Sequence, residues 1–128
     1  MRSLVFLKTM AKAPGELHDL QASLWKIWQK NKELTEGRLK ALEGTAASVR
    51  NSSLTPEQRV QAATQAHQLA GALAAFGLSE EAQLCRTLEQ MLKRKSALNR
   101  ENGVQMSQMI EQLRKAVKTA AQRLAAKT

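Results

Sequence analysis

The chain has 128 residues, with 20 basic against 11 acidic side chains and a net charge of +9. That length fits one domain, and the composition favours helix nearly throughout: aromatic residues make up 3%, Tyr is absent, and only two Pro and six Gly interrupt a chain rich in Ala, Leu, Gln, Lys and Glu. Two His and one Cys are too few for a multi-ligand metal centre, no Gly-rich phosphate loop or nucleophile elbow is present, and no apolar run approaches the roughly 18 residues that argue for a membrane span.

Residues 1–15 read as an N-terminal arm or short helix closed by Pro14-Gly15. Met1-Arg2 followed by Ser3-Leu4-Val5-Phe6-Leu7 imitates a signal peptide, but its apolar stretch of about five residues falls short of the roughly 7–15 required. Lys8 also interrupts it. Residues 16–128 are expected to fold as an all-α, antiparallel, up-down four-helix bundle, the simplest packing of four amphipathic helices with short connections.

The first helix should run from Glu16 to about Val49, with Leu17, Leu20, Leu24, Ile27, Trp28, Leu34, Leu39, Leu42 and Ala46 at helical spacing. Trp25 and Trp28 are expected to cap the core, the alternative being that one is an exposed docking anchor. His18 has no supporting context and reads as an ordinary surface residue. Asn51-Ser52-Ser53 forms a turn, and Thr55-Pro56-Glu57-Gln58 is a strong helix start, with Thr as cap, Pro at the first helical position and Gln three residues after the cap. This second helix should reach about Ala75 and stop at Gly77. Ser79-Glu80-Glu81 opens a third, with two acids at its positive end. It carries Ala82, Cys85, Leu88, Met91 and Leu92 on one side and ends near Leu98. Cys85 cannot make an intramolecular disulfide, which fits a reducing cytoplasm, and beside Leu84 and Leu88 it reads as a buried structural thiol. Asn99 to Gly103 reads as a turn. The last helix, from about Val104 to Ala126, lines up Met106, Met109, Ile110, Leu113, Val117, Ala120 and Leu124.

One side chain in the second helix stands apart. Wound at 100° per residue, Ala62, Ala66, Leu69, Leu73 and Phe76 fall within roughly 80° of one another, and His67 lies outside that stripe. Its neighbours three and four positions away are Ala63, Thr64, Ala70 and Gly71, so an imidazole open to a partner is expected. A neutral imidazole is a nucleophile, and an acceptor beside Nδ1 would hold the ring proton there and leave Nε2 free. A hairpin turning about Gly77-Leu78 places Leu88, Glu89 and Gln90 level with His67.

His67, Leu69, Gly71 and Gly77 follow a pattern of His, any residue, Leu, a position often Lys, Gly, and a second Gly six positions on. At these residues the chain resembles the histidine phosphotransfer (HPt) family, four-helix modules that carry a phosphoryl group between receiver aspartates. Ala70 stands where the Lys is common, and the chain is closer to a branch reading His-Lys-Leu-Ala-Gly-Ser-Leu-Gly-Thr-Phe-Gly. The segment Leu84-Cys85-Arg86-Thr87-Leu88-Glu89 resembles the family's next helix, and the resemblance covers roughly residues 20 to 98.

The resemblance implies that His67 accepts a phosphoryl group from the aspartate of one receiver domain and passes it to another. Glu89, twenty-two positions later, is the implied acceptor of the Nδ1 proton, with Gln90 as fallback. Gly71 would give the phosphoryl group clearance, or else allow a neighbouring helix to pack closely. Arg86 could supply the charge that Ala70 lacks; a solvated surface Arg is the equal alternative. The implied docking surface is shared by the His67 helix and the first long helix, with Ala63, Ala70, Gly71 and Ala74 as its flat centre and Gln68 beside them. The chain would be a phosphoryl carrier without kinase activity, ATP site or cofactor, with Mg²⁺ supplied by the receiver. Its partners would be response-regulator receiver domains and a hybrid histidine kinase. A monomer is expected, without membrane or nucleic-acid contact.

The charge is the best argument for a different class. Residues 1–50 carry nine basic and five acidic residues, 104–128 five and one, and 51–78 one of each, so the excess sits at the ends. Steering an acidic receiver towards His67 accounts for this. The alternative is a non-enzymatic basic helical adaptor binding nucleic acid or an acidic protein, though no aromatic platform accompanies the charge. A third reading is a phosphotransfer fold kept only for docking.

Overall fold

The structure, a computed structural model, describes the backbone of residues 14–126 and the side chains of 19, 20 and 22–126. The expected arm, residues 1–13 above all, and the side chains of Leu17 and His18 lie outside the described residues. Four helices follow in order: α1 (Pro14–Arg50), α2 (Pro56–Ala75), α3 (Ser79–Lys93) and α4 (Arg100–Ala126). Among the described residues there is no strand. Each helix packs on two others in the cycle α1–α2–α3–α4–α1, so the described residues form an all-α four-helix bundle. The core is built from Leu39, Leu42, Ala46 and Val49 of α1, Ala66, Leu69 and Leu73 of α2, Ala82, Cys85, Leu88 and Leu92 of α3, and Met106, Ile110, Leu113 and Val117 of α4.

The helix starts and stops have local causes. Thr55 is the N-cap of α2, accepting from the Gln58 amide at 3.1 Å while the Gln58 side chain accepts from the Thr55 amide at 3.0 Å. This reciprocal pair satisfies two donors that the first turn leaves without helical partners. At the other end the Leu78 amide bonds the Leu73 carbonyl at 3.0 Å and the Gly77 amide bonds that of Ala74 at 3.0 Å. Gly77 sits at φ +78°, the left-handed residue with which such a stop is made. The chain then reverses directly into α3.

Three sequence expectations are corrected. First, α3 ends at Lys93 rather than near Leu98. Arg59 of α2 reaches across and donates to the carbonyls of Leu92 (2.6 Å), Arg94 (2.5 Å) and Ser96 (3.0 Å). A guanidinium from another helix thus takes up carbonyls at the helix end, where the backbone cannot. Second, residues 100–103 belong to α4 instead of a turn. Asn99 and Asn102 exchange amide-to-side-chain bonds at 2.9 Å in both directions and so open the helix one turn earlier. Third, Leu20, Ile27 and Leu34 of α1 are exposed. They lie on the flank of the helix, and the buried row is Trp28, Thr35, Leu39, Leu42, Ala46 and Val49.

Trp28 is buried and meets Phe76 edge-to-face at 5.0 Å between ring centroids, while Trp25 is half-buried against the core. Both therefore close the Gly77 end of the bundle. On the α1–α4 face Arg114 bridges Glu36 at 2.7 Å and Glu43 at 2.5 Å, tying together two turns of α1.

Gly103 marks where α4 crosses α1. A Cβ there would stand 2.6 Å from Arg50 Cγ, 2.7 Å from the Arg50 amide nitrogen and 3.0 Å from the Ala46 carbonyl oxygen. Backbone cannot move aside as a side chain can. Gly103→Ala should therefore lower stability by about 1–3 kcal/mol, the range for overpacking. Gly71→Ala, where a Cβ would meet nothing within 4 Å, should leave stability unchanged or raise it by up to about 1 kcal/mol. Urea denaturation of the two variants checks the contrast.

Candidate functional site

Alanine determines how α2 and α3 meet. The buried residues of α2 are Ala62, Ala63, Ala66, Leu69, Ala70 and Leu73, an arc of about 120° when wound at 100° per residue. Four of the six are Ala, and with Ala63 and Ala70 on the His67 side α3 can lie close along α2. The tight turn at Gly77 sets the pairing, and residues of α3 meet residues of α2 in reverse order. Glu89 comes to rest beside His67.

The two differ sharply in exposure: the His67 side chain is 74% exposed and that of Glu89 only 8%. His67 Nδ1 lies 3.2 Å from both carboxylate oxygens of Glu89. The other ring nitrogen, Nε2, is on the far side of the ring from that contact. On α3 itself, Lys93 Nζ lies 2.9 Å from Glu89 Oε2, one helical turn away. The Lys93 hydrogen bond holds the Glu89 carboxyl below its ordinary 4.5, against the effect of burial and with further help from the bond to His67. Burial in turn pushes the Cys85 thiol up to about 12, which leaves it protonated and inert at neutral pH.

Beside His67 an open groove of about 620 Å³ runs between α2 and the C-terminal end of α3, lined by Pro56, Arg59, Val60, Ala63, Thr64, His67, Glu89, Leu92, Lys93 and Arg94. Val60, 67% exposed, gives it an apolar edge. Its charged groups are three cations and one carboxylate. Arg59 and Arg94 are engaged with carbonyls and, for Arg94, with Asn102 Oδ1 at 2.7 Å.

The expected site residues are not all brought together. Glu89 and His67 meet; Gln90 is exposed and its side chain makes no bond to the ring. Ala63 and Ala70, expected at the flat centre of a docking face, are buried, at 6% and 3% exposure. The arc that α2 buries is wider than the apolar stripe suggests, because alanines on the His67 side lie under α3. The groove likewise opens towards α3 and not towards α1. Gln68, Gly71 and Ala74 are exposed. No neighbouring helix needs Gly71 to be small. Arg86 does not line the groove and lies 3.5 Å from Gln83 Oε1.

Lys93, Arg59 and Val60 were not singled out from the sequence. Lys93 could have been found, as it stands four residues after Glu89, the spacing of a helical ion pair. Arg59 and Val60 carry no such mark. Among the described residues no cluster could hold a metal ion, and no helix is long and apolar enough to cross a membrane.

The site is thus an exposed imidazole on a four-helix bundle, its inner nitrogen beside a buried carboxylate. The sequence matches the Hpt domain over residues 9–122, and the chain belongs to that family. Hpt domains are phosphocarriers rather than kinases, act in phosphorelays, and interact with receiver-domain response regulators. Comparisons with curated proteins and with solved structures find no match.

Glu89 also makes a pH-dependent contribution to the fold. A carboxyl held below its ordinary value in the folded chain stabilises fully above that value and loses its effect as pH falls through the lowered one. The urea midpoint should therefore decline on acidification below 4.5, and Glu89→Gln should flatten that part of the decline.

Proposed function

We infer that this chain is a phosphorelay intermediate in which His67 takes a phosphoryl group from a receiver-domain aspartate and returns it to the same or another receiver. The observation that carries this is the pairing of an exposed His67 ring with the buried carboxylate of Glu89 at 3.2 Å. With the ring proton on Nδ1 and donated to Glu89, Nε2 keeps its lone pair and faces solvent. The lone pair attacks phosphorus in line, the N–P bond forms, and the aspartyl O–P bond breaks with the electron pair leaving on the carboxylate. No proton has to move. The ring gains positive charge as the bond forms, and Glu89 is placed to stabilise that charge. Transfer onward is the same step reversed.

The receiver supplies Mg²⁺ and the acyl phosphate; this chain supplies the acceptor. The docking surface is assigned to the exposed side of α2 around His67, with Thr64, Gln68, Gly71 and Ala74, continuing into the groove at Val60. Arg59, Lys93 and Arg94 make that groove basic, which favours a partner with an acidic rim.

Incubation with a phosphorylated receiver domain should label the chain with an acid-labile, base-stable phosphoryl group. His67→Gln should abolish the label. Glu89→Ala should retain the fold and slow labelling about tenfold or more, the effect of losing a charge-assisted hydrogen bond. Receiver binding without label would mark a docking module, and neither binding nor label would return the chain to the basic-adaptor class.

A further inference from the structure

A carboxylate is an awkward choice of partner for a nucleophilic imidazole. It holds the Nδ1 proton in place, but a full negative charge at 3.2 Å also favours protonation of Nε2, and the resulting imidazolium has no lone pair to attack with. An amide would orient the ring without this conflict. The structure holds a second group on the same carboxylate. Lys93 Nζ lies 2.9 Å from Glu89 Oε2, and Glu89 has only 8% of its side chain exposed while Lys93 has 60%. One buried anion is thus shared between a ring N–H and a solvent-facing ammonium.

The charges around His67 single out Lys93. From its own helix the groove receives Arg59, and from α3 and the residue after it Glu89, Lys93 and Arg94; α1 and α4 contribute no lining residue. Arg59 is turned to the carbonyls of Leu92, Arg94 and Ser96, and Arg94 to Ala97 and Asn102. The one cation of this groove paired with Glu89 is Lys93.

We propose that Lys93 is a positioning residue that balances the charge of Glu89 and so keeps the His67 ring neutral and nucleophilic near neutral pH. This rests on the phosphotransfer reading for its purpose, but its physical content is separable. Glu89 alone would orient the ring and overcharge it; Glu89 with Lys93 orients it without the excess charge. Lys93 does this without a hydrogen bond to the ring. It acts through the carboxylate.

The test begins without any receiver. Diethyl pyrocarbonate acylates only the neutral imidazole, so its rate at His67, read by peptide mass spectrometry between about pH 5 and 8, follows the neutral fraction. In Lys93→Gln the rise of this profile should move to higher pH by roughly half a unit, the size of a partly screened ion pair. Lys93→Arg should restore it. In Glu89→Gln the profile should move to lower pH, and adding Lys93→Gln to that variant should no longer move it up, because the anion it balanced is gone. Receiver-dependent labelling of Lys93→Gln should show the same displaced acid limb.

A carbethoxylation profile that stays in place in Lys93→Gln overturns the proposal, as does an upward shift of equal size in the Glu89→Gln background. If the profile moves as expected while wild type takes no label, charge balance stands and the relay reading falls. If wild type takes label while the profile stays unmoved, the relay reading stands and charge balance by Lys93 falls.

Discussion

The site depends on how closely α3 can lie against α2. Ala63, Ala66 and Ala70 remove the side-chain bulk that would hold the two helices apart, and Gly77 turns the chain tightly enough to keep their pairing in register. Glu89 is buried as a consequence, and its burial matters electrostatically. A carboxylate largely shielded from water interacts more strongly with the groups beside it than an exposed one would. The same packing leaves His67 just outside the buried arc, so one helix pair provides both the sheltered anion and the accessible ring.

Much of this was legible from residues alone. Thr55, Pro56 and Gln58 announce the start of α2, Gly77 its stop, and the distance from that stop places Leu88, Glu89 and Gln90 level with His67, among which the family resemblance singles out Glu89. What failed did so for tertiary reasons. Alanine carries no label saying whether it faces solvent or a neighbour, so Ala63 and Ala70 read as an open face when α3 covers them. The helical pattern past Lys93 continues in the sequence, but the helix stops where Arg59, thirty-three residues before Leu92, takes up the carbonyls at its end. Gly103 read as part of a turn; it lies in the first turn of α4, where Arg50 passes too near for a side chain.

The first helix shows a different kind of error. Leu20, Ile27 and Leu34 share the helical spacing of the core residues, and periodicity alone places them together. The buried row runs through Trp28, Thr35 and Leu39 instead, which puts a polar residue inside and three large apolar ones at or beyond the edge. Spacing identifies a stripe; only the position of α4 and α2 decides which of two adjacent stripes is covered.

Gly71 and Gly103 occupy similar helical settings and answer to different demands. The crowding at residue 103 comes from within the chain, and a population selected for folding alone would hold it fixed. No described residue crowds position 71, so the same population would let it drift towards alanine. Should glycine persist there across descendants, the pressure that preserves it must come from another molecule.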